Sequence, residues 1–198
     1  MIIKKGLNIY ISPATKYIDQ IEIGHSSIIG DYDDYVNPVK IGKNFRLGSF
    51  CKISKNVTIG DDCVIEDNCF IYHDTKIGNN VRIVTGSRIS ARCQIGNNAI
   101  INGSISQRVI IEENVRFFGR IAHSHYDHTL DWTTTAEPSP IFKKGCIIGV
   151  NTLIIGEVEI GENSYVAAGE VVRCNIPPES VYLKGQIFEK SHFRGIII

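Results

Sequence analysis

Three of the six histidines of this chain stand close together, at His123, His125 and His128. An unperturbed imidazole titrates near pH ~6.5, so a positioned histidine can accept a proton from a hydroxyl or an amine at neutral pH. The spacings His123-x-His125 and His123-x4-His128 also occur among metal ligands, although both are weak signals. The cluster therefore indicates general-base chemistry, metal binding, or an exposed polar loop without chemistry.

The histidines belong to an irregular polar segment, residues 123–140. Besides them it holds Asp131, Tyr126, the chain's only tryptophan (Trp132), a threonine triplet and two prolines. Irregular polar excursions from a rigid framework are where binding and catalytic residues are usually found. The elements on either side of this segment must therefore supply the rigid framework.

A strict repeat indicates this framework: an isoleucine, or once a leucine, stands at every sixth position. A period of six fits neither a helix nor a plain strand, and it is typical of the hexapeptide repeat of a parallel β-helix. The positions are Ile41, Leu47, Ile53, Ile59, Ile65, Ile71, Ile77, Ile83, Ile89, Ile95 and Ile101.

A second row of mostly small residues stands four positions after each of these. Inward residues two apart belong to a short extended segment, and the glycines and polar residues between segments suit tight corners. Three segments close a triangular coil of 18 residues, the interval at which Ile-Gly pairs recur from Ile41-Gly42 to Ile95-Gly96. The second row is Phe45, Cys51, Val57, Cys63, Cys69, Thr75, Val81, Ser87, Cys93, Ala99 and Ile105.

The sequence thus predicts one all-β domain over residues 1–198, a parallel β-helix of 18-residue triangular coils with one inserted loop and a C-terminal tail. We predict a lead-in over residues 1–22, coils over 23–122 and 141–176, the inserted loop over 123–140 and a tail over 177–198. The regular register is expected from about residue 39 to residue 106, with a two-residue slip after that point.

The composition indicates which partners, which cellular location and which role of the cysteines to expect. The 21 basic and 21 acidic residues are spread along the chain without a basic stripe, so nucleic acid is not an expected partner. There is no apolar run of transmembrane length and no signal-peptide core at the N-terminus, so we expect a cytoplasmic protein. Four cysteines of the small inward row, together with Cys146 and Cys174, are expected to be structural, without a metal site or disulfides.

Residues 39–178 resemble the hexapeptide-repeat acyltransferases, in particular the maltose, galactoside and sugar O-acetyltransferases. His128-Thr129-Leu130-Asp131 matches the His-x-hydrophobic-Asp of that family's catalytic loop. Pro140-Ile141, the stretch from Ile148-Gly149 to residue 163, and residues 166–178 are similar to the coils that follow the loop. The resemblance implies a left-handed helix, since the six-residue period cannot show handedness and crossovers are usually right-handed.

The resemblance also implies residue roles. His128 would be the base that deprotonates an acceptor hydroxyl or amine for attack on the thioester of acetyl-CoA, and Asp131 would orient its ring. His125 is the alternative base, because related enzymes show a His-x-His before the loop, and His123 is a third candidate. Tyr126 and Trp132 are expected to contact a sugar or a neighbouring subunit.

Acetyl-CoA is expected as co-substrate, in a groove between subunits of a homotrimer. The positions that match the family's CoA contacts are Gly149, Gly156, Ala167, Ala168 and Arg173. Arg173 could pair with a phosphate, whereas the small residues could equally reflect tight corner packing.

The chain departs from the family pattern at four places that bear on CoA binding. Ile147 stands where a tryptophan is usual, and Glu170 where a small residue is common. Residues 173–175 and 184–187 replace the family's usual motifs before and after the prolines.

Two other functions fit the same fold. A γ-class carbonic anhydrase-like metalloenzyme would use His123 and His128, but His73, the one candidate for its third ligand in the coils, is at the wrong distance in sequence. A non-catalytic scaffold would use the loop for a partner, because fold alone does not decide function. The predicted function is acetyl transfer from acetyl-CoA to a saccharide or similar small acceptor, with no bound metal; the acceptor's identity and the choice between O- and N-acetylation are left open.

Overall fold

The structure, a computed structural model, describes residues 3–17, 21–31, 36–123, 129 and 138–193. They form 28 short strands and one 3-10 helix, Lys190–Phe193. The first strands are β1 (Ile3–Lys5), β2 (Tyr10–Ile11), β3 (Lys16–Tyr17), β4 (Ile21–Ile23), β5 (Ile28–Ile29), β6 (Lys40–Ile41), β7 (Arg46–Leu47), β8 (Lys52–Ile53), β9 (Thr58–Ile59) and β10 (Val64–Ile65). Next come β11 (Phe70–Ile71), β12 (Lys76–Ile77), β13 (Arg82–Ile83), β14 (Arg88–Ile89), β15 (Gln94–Ile95), β16 (Ile100–Ile101), β17 (Ser104–Ile105), β18 (Ile110–Ile111), β19 (Arg116–Phe117) and β20 (Arg120–Ala122). The last are β21 (Ile141–Phe142), β22 (Ile147–Ile148), β23 (Leu153–Ile155), β24 (Glu159–Ile160), β25 (Tyr165–Val166), β26 (Val171–Val172), β27 (Ser180–Leu183) and β28 (Gln186–Glu189).

From β1 to β26, each strand pairs in parallel with the strand three places further along the chain, and the strands form three sheets along the sides of a prism. Sheet 1 has eleven strands in the order β1-β4-β7-β10-β13-β16-β19-β22-β25-β27-β28, sheet 2 has nine from β2 to β26, and sheet 3 has eight from β3 to β24. The antiparallel pair β27–β28 is the exception. The predicted all-β parallel solenoid is confirmed, and the arrangement is consistent with the left-handed β-helix that the resemblance implies.

Each typical two-residue strand exposes its first residue and buries its second. Arg82 is exposed and Ile83 is fully buried, and the same alternation recurs in β7, β8, β9 and β11–β15. Burying one isoleucine is worth about 1.5–3 kcal/mol, so the stacked column specifies the register of every coil. At the corners, Asn44, Asp62, Asn80 and Asn98 adopt φ between 53° and 59°, a left-handed conformation that Asn and Asp tolerate better than most residues.

The cysteine prediction holds for five of the six residues. Cys51, Cys63, Cys69, Cys93 and Cys146 are buried free thiols that pack within the prism, whereas Cys174 is exposed. Cys174 lies on the corner that follows β26 and is exposed, so it does not pack inside the prism as predicted.

The register slip lies earlier than the sequence analysis places it. Ile105 pairs with Ile89 as a core residue of a strand, so it is not the small-row residue that the six-residue count predicts. The two residues are lost at the corner Asn102-Gly103, where Gly103 adopts φ 150° and its N–H donates to the Ser87 hydroxyl 16 residues back. The compact glycine corner is what the spacing alone could not reveal.

The first and last described strands also join the solenoid. Strands β1, β2 and β3 pair in parallel with the next coil, so the first turn lies within the stretch that the sequence analysis treats as a lead-in. At the other end β27 adds to sheet 1 and β28 folds back on it as a hairpin. In the part of the chain that the structure describes, no helix has the length and apolarity that a membrane crossing requires.

Candidate functional site

The histidine segment leaves the solenoid at the corner between sheets 2 and 3. Strand β20 ends at Ala122, and β21 begins at Ile141. Ala122 pairs with Ile155 in the following coil, and its carbonyl accepts the N–H of Gly156 at 3.0 Å. His123, which is half-buried, is therefore held at a strand end directly beside Gly156.

The return of the segment is fixed by the preceding coil. The Ser139 hydroxyl donates to the carbonyl of Gln107 at 2.7 Å, and the carbonyl of buried Pro140 accepts the N–H of Ile110 at 3.3 Å. The two ends of the segment are thus anchored to two different neighbouring coils. These hydrogen bonds fix the positions at which the segment leaves and rejoins the solenoid.

Most of the predicted catalytic residues lie outside the described residues. His125, Tyr126, His128, Asp131 and Trp132 all fall in the two undescribed stretches of the loop, so their assigned roles remain predictions. His123 is the one predicted site histidine whose position is described. Its place at the end of β20 puts it at the base of the loop.

The predicted CoA residues lie at two different corners of the prism. Gly149, Ala167 and Ala168 belong to the corner between sheets 1 and 2, whereas Gly156 and Arg173 belong to the corner between sheets 2 and 3. The two corners are separated by the three-residue strand β23 or its neighbour, a distance of roughly 10 Å. Together they line the two edges of sheet 2 near its C-terminal end.

Three of these residues have structural duties within the solenoid. A Cβ on Gly149 would lie 2.5 Å from the backbone nitrogen of Ala168, so close stacking requires glycine there. The N–H of Ala167 donates to the Tyr182 carbonyl at 2.9 Å, and its carbonyl accepts the Thr152 hydroxyl at 3.1 Å. Gly156 adopts φ 76°. Ala168 and Arg173 are exposed and are the best placed of the five to meet a ligand.

A histidine–carboxylate pair that sequence reasoning missed lies on the same corner column as the loop, three coils earlier. His73 Nδ1 lies 2.7 Å from Asp74 Oδ2. Hydrogen bonds from the Asn56 amide and then from His73 lower the pKa of the Asp74 carboxyl. The pair was discoverable from the adjacent His and Asp, but only the fold shows that it shares the column of the loop.

The described residues hold no candidate metal centre, and two of the buried thiols are poor nucleophiles. Among the described residues, no group of three His, Cys, Asp or Glu side chains is placed to hold a metal ion. Burial raises the pKa of the Cys93 and Cys146 thiols to about 12, so both stay protonated at neutral pH.

Comparisons with known proteins agree with this architecture. Residues 38–73 and 56–91 match the family model described as bacterial transferase hexapeptide, six repeats. A serine acetyltransferase of Buchnera aphidicola is 36% identical over 77 residues, which are 37% of this chain. The chain spans about a quarter of the length of that relative, 27%.

Two solved acyltransferase structures are similar to this chain over most of its length, and the first of them supports the fold. The UDP-N-acetylglucosamine O-acyltransferase of Moraxella catarrhalis is similar over 93% of this chain and 76% of its own, at 17% identity and a TM-score of 0.53. The UDP-N-acetylglucosamine acyltransferase of Francisella novicida is similar over 93% of this chain and 72% of its own, at 18% identity and a TM-score of 0.39.

The fold and the repeat define the class: this is a β-solenoid built on a six-residue repeat. Residues 38–91 match the bacterial transferase hexapeptide repeat, and the relatives named above are acyltransferases. The maltose or sugar O-acetyltransferase subtype is a narrower assignment that these matches do not make.

Proposed function

We propose that this protein is an acetyltransferase that moves an acetyl group from acetyl-CoA to a hydroxyl or amine of a small acceptor. The observation that carries the proposal is a rigid hexapeptide solenoid interrupted at one corner by a segment with three histidines, whose base is fixed to the coils on both sides. The acyltransferase names of the relatives support the reaction type.

In the proposed mechanism His128, or His125 in its place, accepts the proton of the acceptor as the acceptor oxygen or nitrogen attacks the thioester carbonyl. The carbon–sulfur bond then breaks, and the CoA thiolate takes the proton from the imidazolium. Asp131 holds the ring in the tautomer that leaves one nitrogen free to accept. His123, Tyr126 and Trp132 contact the acceptor.

The donor is proposed to lie along the C-terminal end of sheet 2. Arg173 is exposed there and offers a planar guanidinium to a phosphate of CoA. Ala168, Gly149 and Gly156 border the same surface. Ala167 contributes through its small side chain, since its backbone groups already bond within the solenoid.

We favour a saccharide as the acceptor, and the hydroxyl of an amino acid is the alternative that the serine acetyltransferase relative suggests. We also propose a homotrimer, the assembly implied by the family resemblance. The free thiols of this chain suit a reducing compartment such as the cytoplasm.

The first experiment is titration of the protein with acetyl-CoA and with free CoA, followed by acceptor assays that detect the released thiol. Saturable binding and turnover are expected, and His128→Ala should reduce kcat by about 10²- to 10⁴-fold, the usual worth of a general base. His192→Ala is the matched control, because His192 is exposed on the C-terminal 3-10 helix.

The same experiments distinguish His125 from His128 as the base and test the transferase proposal itself. If His125→Ala loses turnover and His128→Ala does not, the base is His125. If neither acetyl-CoA nor CoA binds, the transferase proposal is wrong.

A further inference from the structure

The outward face of sheet 2 carries cations and aromatic rings but no carboxylate over five consecutive strands, β8 to β20. The column of outward residues that pair along it is Lys52, Phe70, Arg88, Ser104 and Arg120. The residues two positions further along the chain are Ser54, which is buried, and the half-buried Tyr72, Ser90, Ser106 and Ala122. Sheet 1 carries cations at the same interval, at Arg46, Arg82 and Arg116, but sheet 2 is the face on which an arginine also lies over aromatic rings.

Arg88 lies over two aromatic rings on this face. Its guanidinium carbon lies 5.4 Å from the ring centroids of both Phe70 and Tyr72, and one of its nitrogens donates to the Tyr72 hydroxyl. Among the described residues, no carboxylate forms an ion pair with Arg88 or Arg120. The planar guanidinium of Arg88 therefore has hydrogen-bond donors that suit a carboxylate or sulfate group.

The three cations recur at every second strand of the face. Neighbouring strands lie about 4.8 Å apart, so Lys52, Arg88 and Arg120 are spaced by about 10 Å along the column. Two sugar residues of an extended glycan span a similar length. The rings of Phe70, which is 39% exposed, and half-buried Tyr72 offer flat apolar surface between the charges.

The column also ends where the proposed chemistry begins. Arg120 stands two residues before Ala122, the last residue of β20, and His123 follows. We propose that the sheet 2 face binds an acidic oligosaccharide, one with a negative charge on about every second sugar, and directs its end to the histidine loop. This inference rests on the proposed acetyl transfer and names the class of acceptor.

Nucleic acid fits the face less well. One strand of a duplex carries a charge about every 3.4 Å, about three for each 10 Å of length. The face offers one cation over that length. Lys52 is also partly offset by Asp31, whose carboxylate lies 3.8 Å away.

The test is direct binding of hexasaccharides by titration calorimetry, without acetyl-CoA. The probe that fits the proposal is a hyaluronan oligomer, with a carboxylate on every second sugar. Oligomers of galacturonate and sialic acid, charged on every sugar, are the denser comparisons, and maltohexaose is the neutral one. We expect saturable binding of at least one acidic oligomer that weakens with added salt, and an affinity about tenfold lower in Arg88→Gln and in Arg120→Gln.

Control variants remove equal charge from another face. Lys40 and Lys76 are exposed on β6 and β12 of sheet 3, and Lys40→Gln and Lys76→Gln should leave binding unchanged. Phe70→Thr should weaken binding without altering its salt dependence, since it removes a ring and no charge.

The inference is wrong if no acidic oligomer binds more tightly than maltohexaose, or if the sheet 3 variants weaken binding as much as the sheet 2 variants. It is also wrong if the double variant R88Q/R120Q changes the association state in sedimentation. That result would assign the face to a second copy of the chain. Failure to bind acetyl-CoA would instead count against the proposed function, and oligosaccharide binding would be unaffected by it.

Discussion

The carboxylate of Glu170 accepts the backbone N–H of Lys184 at 2.6 Å, and its second oxygen accepts that of Gly185 at 3.2 Å. Glu170 lies on the corner before β26, and Lys184-Gly185 is the turn of the hairpin between β27 and β28. In the sequence these two sites are separate departures from the family pattern. In the structure they are the two halves of one contact, which ties the C-terminal hairpin to the last coil.

We predict that Glu170→Ala loosens this hairpin. Loss of two hydrogen bonds to a charged acceptor should lower the free energy of unfolding by about 1–2 kcal/mol, because the turn is only partly shielded from water. Amide exchange should quicken over residues 180–189 while sheets 2 and 3 stay protected. Glu157→Ala, at an exposed corner position, is the control, and equal exchange in both variants would contradict the assignment.

We predict that Gly103→Ala is strongly destabilising. A Cβ at Gly103 would lie 1.8 Å from the carbonyl oxygen of Gly119, so the two shortened coils must separate, at a cost of about 3 kcal/mol or more. Gly86→Ala is the matched control, because its φ is 78° but nothing lies within 4 Å of the new Cβ. That variant should lose only about 1 kcal/mol of backbone strain energy, and chemical denaturation of both measures the difference.

We predict that Phe50→Asn raises stability. Phe50 adopts φ 59° and is 58% exposed, at the corner position that Ser26, Asn68 and Gly86 occupy in neighbouring coils. A bulky residue is strained there, so replacement by asparagine should stabilise the fold by about 1 kcal/mol. The reverse change in the next coil, Asn68→Phe, should destabilise it by a similar amount. Equal thermal midpoints for the two variants would refute the strain argument.

We predict an acid-sensitive contribution from Glu66. Hydrogen bonds from the Thr85 backbone N–H and from Arg82 hold the pKa of the Glu66 carboxyl below its ordinary value of 4.5. Its stabilisation is therefore present above pH 4.5 and is lost as the pH falls through the lower folded-state pKa.

The free energy of unfolding of wild type and Glu66→Gln, measured from neutral to acid pH, should differ most at neutral pH and converge in acid. Glu157→Gln should run parallel to wild type throughout. A gap between wild type and Glu66→Gln that stays constant with pH would show that the carboxylate contributes no titrating interaction.

We predict that one thiol reacts with a chromogenic disulfide reagent in the native protein and that six react in denaturant. Cys174 is exposed and the other five cysteines are buried, and burial also raises the pKa of Cys93 and Cys146 to about 12. Cys174→Ser should abolish the native reaction. A fast second equivalent would mean that the coils open more readily than their packing implies.

Much of the fold could be predicted because its repeat is local. Ile59 and Ile77 pair in adjacent coils as the 18-residue interval requires, and the corners at Asn80 and Asn98 take the conformation that their residue types favour. The slip at Gly103 could not be placed, since a shortened corner leaves the same residue types on either side and only the pairing of Ile89 with Ile105 identifies it.

The candidate site could also be predicted only in part from the sequence. The sequence locates the loop, because a polar segment with three histidines breaks a strict repeat, and strands end and restart at Ala122 and Ile141. It does not show that Gly149 is required for stacking against Ala168, or that the predicted CoA residues fall at two corners. Those facts depend on which coils are neighbours.

By itself, then, the sequence determined the solenoid, the length of its regular coil and the point where the loop leaves it, because each follows from inward residues at fixed spacing along the chain. Tertiary structure alone decided that Glu170 meets Lys184, and that Arg88 lies over Phe70 and Tyr72. The physical reason is that stacking brings together residues one coil apart, and outward positions, unlike the core, carry no packing pattern that would reveal their neighbours.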